Sequence, residues 1–230
     1  MRSAGCIVND LIDMPYDGLV KRTAGRPLVQ KTVSPKEAYI LSFILLVMAF
    51  LLVTQLGYLV ILLSIPALIL AILYPFMKRF TYLPQAFLGF AFSCGIPMAY
   101  AAESACIPYQ AIVLCLANLA WVIAYDTQYA MVDKEDDLKI GVKSTAILFG
   151  VYAKIIVFLL QVVALALFVF LGLAYKLSPI YFIGLSIAFM LAMYQQYLLH
   201  KNETNHYFKA FLNNHYFGMV IFLGLYFSIT

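Results

Sequence analysis

The chain alternates long apolar stretches with short polar connections. Seven stretches have no charged residue in their middles, and each comes close to the ~20 residues that an α-helix needs to cross a bilayer. They are continuous apolar runs, whereas β-barrel strands would alternate apolar and polar positions. The pattern therefore predicts an all-α integral membrane protein with seven transmembrane helices, at 38–55, 58–76, 84–102, 108–127, 150–174, 179–199 and 210–229.

The overall composition supports the same class. Apolar residues make up 64% of the 230 residues and charged residues 11%, against ~45–50% and ~25% in ordinary globular proteins. So few charges would not cover the surface of a soluble domain of this size. The four cysteines lack the paired spacing of a metal site, and the histidine spacings fit no helical ligand pair.

Charge is strongly asymmetric across the seven predicted spans. The connections 1–37, 77–83, 128–149 and 200–209 lie on one side, and of the 15 Lys and Arg residues only Lys176 falls on the other, if Lys154 is counted with the first side. Because Lys and Arg mark the cytoplasmic side, this side is predicted to face the cytoplasm. The net charge of +4 follows from this orientation and predicts no nucleic-acid partner.

The first acidic cluster lies near the start of the chain. On a helix, Asn9, Asp13 and Asp17 would share one face, with Asp10 close by. Stacked carboxylates repel one another and need a counter-charge, and Mg²⁺ prefers such oxygen ligands together with substrate phosphates. Pro15 is expected to kink or unwind the turn between Asp13 and Asp17.

The second acidic cluster follows the fourth predicted span. Asp133 and Asp137 are four residues apart, and Asp126 lies about two helical turns before Asp133. A helix stabilised by surface ion pairs would place Lys, not a second Asp, four residues from an Asp. Both clusters are therefore interpreted as functional. A simpler interpretation, a solvated surface carboxylate, is kept for Glu37, Glu135 and Glu203.

Basic residues accompany both clusters. They are Lys21, Arg22 and Arg26 after the first, Lys139 and Lys143 after the second, and Lys78 and Arg79 in a short connection. Carboxylates that hold Mg²⁺, surrounded by cations, suit a diphosphate. The orientation rule alone would explain any single one of these lysines.

Together these motifs resemble the UbiA superfamily of intramembrane aromatic prenyltransferases. The first motif reads Asn9-Asp10-x-x-Asp13-x-x-x-Asp17 and the second Asp133-x-x-x-Asp137. The flanking segments resemble the bacterial branch that prenylates 4-hydroxybenzoate, and the resemblance runs along the whole chain. Those segments are 2–6, 21–28, 125–133 and 139–150.

The resemblance implies a single prenyltransferase domain over 1–230, with seven of an expected nine bundle helices. In the family the first motif ends the second helix, but here only eight residues precede Asn9. About 58 residues are therefore expected to be missing, because eight residues reach only ~12 Å along a helix. Where family members often carry a basic residue after the second aspartate of the first motif, this chain has Met14.

The resemblance also implies the reaction, which is Mg²⁺-dependent transfer of a polyprenyl group from polyprenyl diphosphate to the carbon ortho to the hydroxyl of 4-hydroxybenzoate, in ubiquinone biosynthesis. The lipid bilayer would hold the prenyl tail. Asp126, Asp133 or Asp137 could accept the ring proton, and Arg79 could grip the benzoate carboxylate. The expected metal ligands are Asn9, Asp13, Asp17, Asp133 and Asp137, and the expected substrate contacts are Asp10, Lys21, Arg22, Arg79 and Lys143.

Four alternatives stay open at this point. One is another prenyltransferase of the superfamily, and another is an inactive truncated fragment. A CDP-alcohol phosphotransferase also uses aspartates and Mg²⁺, but residues 23–60 contain no further aspartate to complete its motif. A cation transporter would need ionisable groups near the middle of the membrane, and the predicted spans lack them.

Overall fold

The computed structural model describes residues 2–20 and 22–230, and all regular structure in these ranges is helical. The α-helices are α1 (Arg2–Asp17), α2 (Pro35–Val53), α3 (Tyr58–Phe80), α4 (Pro84–Ser93), α5 (Gly95–Ser104), α6 (Tyr109–Ile140), α7 (Thr145–Phe149), α8 (Ala153–Ala174), α9 (Pro179–Leu199) and α10 (Thr204–Ile229). A 3₁₀ turn at Gly150–Tyr152 leads into α8.

All seven predicted spans are helical. By length and composition, six helical stretches of the described chain could cross a membrane: Pro35–Val53, Tyr58–Phe80, Pro84–Ser104, Tyr109–Ile140, Thr145–Ala174 and Pro179–His200. The seventh prediction, 210–229, lies within the 26 residues of α10. Polar residues such as Asn205, His206 and Lys209 make the first half of α10 less apolar than the other spans.

Local sequence explains where several helices begin and end. Ser34 caps α2, because its hydroxyl accepts from Glu37 N while Glu37 accepts from Ser34 N at 2.8 Å. The third predicted span breaks at Cys94 into α4 and α5. Pro97 has no N–H to donate to the carbonyl of Ser93, so the helix cannot continue regularly there.

The helix that carries the fourth predicted span is longer than the span. The span was predicted at 108–127, and α6 continues beyond it to Ile140. The segment after 127 is charged but contains no helix breaker until Gly141, whose φ of 74° is left-handed. As a result, Asp126, Asp133 and Asp137 all lie on one helix.

Two compact units divide the chain. The N-terminal unit contains the residues up to Ile107 together with Asp133–Ser144, and the C-terminal unit contains Pro108–Val132 and Thr145–Thr230. The single domain expected over 1–230 stays a prediction.

The C-terminal unit holds the apolar core around α6, α8, α9 and α10. Fully buried residues such as Ala117, Ala164, Ala188 and Phe217 pack together there. Helices α9 and α10 approach closely at Gly184, where an added Cβ would lie 2.7 Å from the carbonyl oxygen of Val220. Such close contact between small residues is a common way for transmembrane helices to pack.

An amide network is also buried in the C-terminal unit. Gln195 accepts from Gln128 at 2.9 Å and from Gln161 at 2.6 Å, and it donates to Asn213 at 3.0 Å. Asn214 donates to Gln128 at 2.7 Å and accepts from the indole N–H of Trp121 at 3.0 Å. The network links α6, α8, α9 and α10 through uncharged groups, which cost less to bury than ions. We call the six residues the amide network; they are Trp121, Gln128, Gln161, Gln195, Asn213 and Asn214.

Candidate active site

The first aspartate motif lies on an unbroken helix. Contrary to the unwinding that we gave as one outcome of Pro15, α1 continues through Pro15 to Asp17. Pro15 lies in the last turn, so it removes only the hydrogen bond that its own nitrogen would have donated to Leu11. Asn9, Asp13 and Asp17 therefore share one helix face, and Asp13 and Asp17 are buried, at 4% and 6% exposure.

Each aspartate of this motif contacts a basic side chain. Lys78 Nζ at the end of α3 lies 2.5 Å from Asp13 Oδ2. Arg26 Nη1 lies 2.7 Å from Asp17 Oδ2 and 2.9 Å from Asp10 Oδ1, so one guanidinium bridges two carboxylates. The hydroxyl of Thr23 donates to the carbonyl of Asp17 at 2.8 Å and holds the chain as it leaves the helix.

The second aspartate motif meets the segment that follows the first. Arg22 donates from Nε to Asp133 Oδ1 at 3.0 Å and from Nη2 to Asp133 Oδ2 at 2.5 Å. This bidentate geometry is the strong form of a guanidinium–carboxylate contact. Asp137 lies one turn further along α6, within the electrostatic influence of both Lys78 and Arg22. Both motifs therefore gather within the N-terminal unit.

The C-terminal end of α3 joins the two motifs. Lys78 contacts the first motif, and its carbonyl accepts from the backbone N–H of Lys143 at 2.9 Å. Lys143 Nζ also donates to the carbonyl of Phe80 at 3.2 Å. Arg79 Nη2 donates to the carbonyl of Ile12, next to Asp13, at 2.9 Å. These contacts position both motifs relative to one short helix end.

Burial disfavours the ionised form of two aspartates in the first motif. It raises the pKa of the Asp13 carboxyl above its ordinary value, although Lys78 opposes the shift. The pKa of Asp10 is raised by burial in the same way, against the opposing effect of Arg26. Asp13 Oδ1 is buried and has no hydrogen-bond partner. A buried, partnerless carboxylate oxygen beside further carboxylates fits a hard divalent cation such as Mg²⁺.

The predicted metal ligands do not surround a common point. Among residues 2–20 and 22–230, no three Asp, Glu, His or Cys side chains are arranged so that they could hold an ion. Arg22, Arg26 and Lys78 occupy several of the carboxylate oxygens instead. The ligand set Asn9, Asp13, Asp17, Asp133 and Asp137 stays a prediction, and it requires some of these ion pairs to open.

The other predicted site residues differ in how close they lie to the two motifs. Arg22 and Lys143 lie among the motifs, whereas the guanidinium of Arg79 is exposed and stacks 5.1 Å from the centre of the Tyr16 ring. Lys21 lies outside the described residues. Asp126 is a half-buried residue of the C-terminal unit, two turns before Asp133 on α6.

Two basic residues that we named beside the clusters, but did not assign as metal ligands or substrate contacts, contact the motifs. Arg26 bridges Asp10 and Asp17, and Lys78 pairs with Asp13. Arg26 follows Arg22 by four residues, a spacing that could have indicated two cooperating guanidinium groups. Sequence reasoning could not choose between the adjacent Lys78 and Arg79, because both contact α1 and only the packed structure shows which of them pairs with the Asp13 carboxylate.

Comparison with known proteins explains this arrangement. Residues 1–222 match the UbiA prenyltransferase family. The chain belongs to this family. It is 54% identical to the 4-hydroxybenzoate octaprenyltransferase of Enterobacter sp. (strain 638) and 55% identical to that of Aliivibrio fischeri (strain ATCC 700601 / ES114). Each match covers 98% of this chain, and 78% and 79% of those relatives.

Solved structures of the UbiA family share the fold. The apo structure of a UbiA homolog from Aeropyrum pernix K1 matches with a TM-score of 0.86 at 26% identity, over 100% of this chain and 86% of that one. A UbiA homolog from Archaeoglobus fulgidus bound to GPP and Mg²⁺ matches with a TM-score of 0.65 at 18% identity, over 95% of this chain and 82% of that one. The predicted all-helical, UbiA-type multi-pass architecture is thereby confirmed.

Proposed function

We propose that this chain transfers a polyprenyl group from a polyprenyl diphosphate to 4-hydroxybenzoate in an Mg²⁺-dependent reaction. The observation that carries the proposal is the meeting of two aspartate motifs and the cations Arg22, Arg26 and Lys78 within one compact unit. The names of relatives at 54–55% identity support the same acceptor. The alternatives outside the family, a CDP-alcohol phosphotransferase and a cation transporter, have no comparable support.

The cations of the site suit a leaving diphosphate. Arg22, Arg26 and Lys78 already lie against the carboxylates, so they need only change partners to contact phosphate oxygens. Lys143 and Lys21, on either side of this group in the sequence, are proposed as further phosphate contacts. Mg²⁺ held by Asn9, Asp13, Asp17, Asp133 and Asp137 would supply charge that stabilises the departing diphosphate.

The chemical step is a carbon–carbon bond formation at an allylic carbon. The allylic C–O bond breaks, the diphosphate leaves with the bonding electrons, and the ring carbon ortho to the phenol bonds to the allylic carbon. The ring then loses its proton to a carboxylate, for which Asp126, Asp133 and Asp137 are our candidates. The assignment of Asp126 rests only on its position along α6.

The remaining proposed roles concern binding of the acceptor and the position of the protein in the membrane. Arg79 is proposed to bind the benzoate carboxylate with guanidinium N–H groups other than the one that Ile12 uses. The apolar spans would keep the prenyl tail in the bilayer, since burial of each CH₂ is worth about 0.8 kcal/mol. The charge asymmetry supports a site on the cytoplasmic side, and the bacterial relatives support a bacterial inner membrane as its location.

A membrane assay with radiolabelled 4-hydroxybenzoate and octaprenyl diphosphate tests the proposal. The chain in lipid vesicles should form prenylated product with Mg²⁺, and Asp13→Ala and Asp137→Ala should each lower the rate by at least about 100-fold. Glu135→Gln is the matched control, because Glu135 is an exposed carboxylate on α6 between the two motif aspartates. Activity that survives in both alanine variants would refute the metal-site assignment.

A further inference from the structure

A groove lies between the start of α8 and the end of α9, in the C-terminal unit. Its volume is about 450 Å³. Four of its lining residues are apolar and three are polar. The residues that line it are Val151, Lys154, Ile155, Phe158, Met193, Gln196 and His200.

Positive charge in this groove is not matched by a carboxylate. Lys154 Nζ hydrogen-bonds to Asn202 Oδ1, a neutral group. Within the described ranges 2–20 and 22–230, no carboxylate lies within ion-pair distance of Lys154, and Glu203 pairs instead with His206 at 2.9 Å. In contrast, Lys78 of the N-terminal unit pairs with a carboxylate. The groove therefore presents a cation suited to a single negative charge.

A buried donor in the same groove also lacks an acceptor. Gln196 is 8% exposed, and its Nε2 has no hydrogen-bond partner. An unsatisfied buried amide destabilises a protein, so a ligand that accepts from it would recover free energy. His200 Nδ1 lies 2.8 Å from the carbonyl oxygen of Gln196, so Nδ1 carries the proton and holds the ring at the groove.

The groove lies where a lipid headgroup would be. The start of α8 and the end of α9 belong to the side with nearly all the Lys and Arg residues, which is the side that anionic leaflets attract. Val151 is 87% exposed and Tyr152 68% exposed, so apolar and aromatic side chains face outward beside Lys154. Tyr and apolar residues of this kind are typical of the membrane–water boundary.

We infer that this groove binds the phosphate of an anionic phospholipid, with one acyl chain against its apolar wall. Lys154 would pair with the phosphate, the Gln196 amide would donate to a phosphate or ester oxygen, and Val151, Ile155, Phe158 and Met193 would contact the chain. The site carries one unpaired lysine, which matches the single charge of a phosphatidylglycerol better than a diphosphate. This inference does not depend on the proposed reaction.

The test uses the full chain in detergent with added lipid, with the unfolding temperature and native mass spectrometry as readouts. Phosphatidylglycerol should raise the unfolding temperature and stay bound, whereas phosphatidylcholine should do so much less. Lys154→Gln should weaken phosphatidylglycerol binding by about fivefold, as expected for one lysine–lipid contact of about 1 kcal/mol. Lys209→Gln, an exposed lysine of the same side that does not line the groove, should leave binding unchanged.

Gln196→Leu separates binding from folding. This variant removes a buried donor that has no partner, so the lipid-free protein should be as stable as the parent or more stable. Its stabilisation by phosphatidylglycerol should nevertheless fall. Three outcomes would overturn the inference: equal binding of phosphatidylcholine, unchanged binding in Lys154→Gln, or displacement of phosphatidylglycerol by octaprenyl diphosphate at equal concentration.

Discussion

The N-terminal and C-terminal units handle buried polarity in opposite ways. In the N-terminal unit, aspartates of both motifs contact Arg22, Arg26 or Lys78 through full charges. In the C-terminal unit, the amide network joins its helices through neutral groups such as Gln128 and Gln195. A metal ion can replace the basic side chain beside an aspartate, and a diphosphate can replace the aspartate beside a basic side chain. Each ligand carries the same sign of charge as the group that it replaces. Amide pairs gain nothing from such an exchange, so they are suited to hold helices in a fixed register.

This difference indicates that the side chains of the N-terminal unit, not those of the amide network, can exchange their partners for a ligand. Asp13 keeps one buried oxygen without a hydrogen bond even in its ion pair, so the charged site is incomplete. Gln195, in contrast, uses its oxygen twice and its amide nitrogen once, and the unpartnered oxygen of the amide network, Gln161 Oε1, belongs to a neutral amide. Four predictions test this contrast, beginning with the largest expected effect.

Removal of Mg²⁺ should abolish prenyl transfer but leave the protein folded. Chelation with EDTA is expected to lower the rate of product formation by at least about 100-fold, and excess Mg²⁺ should restore it. The unfolding temperature should change little, because the ion pairs neutralise the aspartates without a metal. Radiolabelled product and thermal unfolding are measured on the same sample. A large drop in unfolding temperature would show that the metal, not the ion pairs, holds the N-terminal unit together.

Lys78→Met should strongly destabilise the N-terminal unit. It leaves Asp13 buried without its counter-charge, which is expected to lower the free energy of unfolding by about 3 kcal/mol. Asp13→Asn in the same background should recover more than half of this loss. Denaturant unfolding in detergent measures both changes. The control is Lys139→Met, which breaks an exposed ion pair with Asp136 and should cost less than about 1 kcal/mol. Equal losses in Lys78→Met and Lys139→Met would contradict the assigned role of burial.

Gln195→Leu should destabilise the C-terminal unit while it spares the chemistry. Gln128 and Gln161 would lose their acceptor, at an expected cost of about 2 kcal/mol in the free energy of unfolding. Activity per folded molecule should change little, because no charged group of the proposed site is altered. Gln55→Leu, at an exposed glutamine between α2 and α3, is the control. A loss of activity without a loss of stability would assign the amide network a direct role in the reaction.

Trp121→Phe should give the smallest effect. The variant keeps an aromatic ring beside Phe217 but removes the N–H that donates to Asn214 at 3.0 Å. One hydrogen bond between transmembrane helices is worth about 0.6 kcal/mol on average, and the unfolding midpoint should fall accordingly. A loss of more than about 2 kcal/mol would mean that the indole packing, not its hydrogen bond, is what stabilises the network.

Much of the fold was predictable from apolar run length, because only helices can carry such runs across a membrane. All seven predicted spans are helical, and the helix of the fourth continues beyond residue 127 to Ile140, since a charged sequence without Gly or Pro can extend a helix beyond the membrane. The unwinding predicted as one outcome at Pro15 was wrong, because a proline in a last turn interrupts only one hydrogen bond. The ligand roles of Asn9 and Asp137 stay predictions.

The sequence by itself determined the membrane class, the sidedness of charge and the two aspartate motifs, because these depend on composition and on spacing along single helices. Only the tertiary structure decided that Lys78 pairs with Asp13, that Arg26 bridges Asp10 and Asp17, and that Lys154 has no carboxylate partner among the described residues. Residues far apart in the chain make these contacts, and their pairing depends on which helix face each element presents after packing. The spacing of residues along one chain does not contain that information.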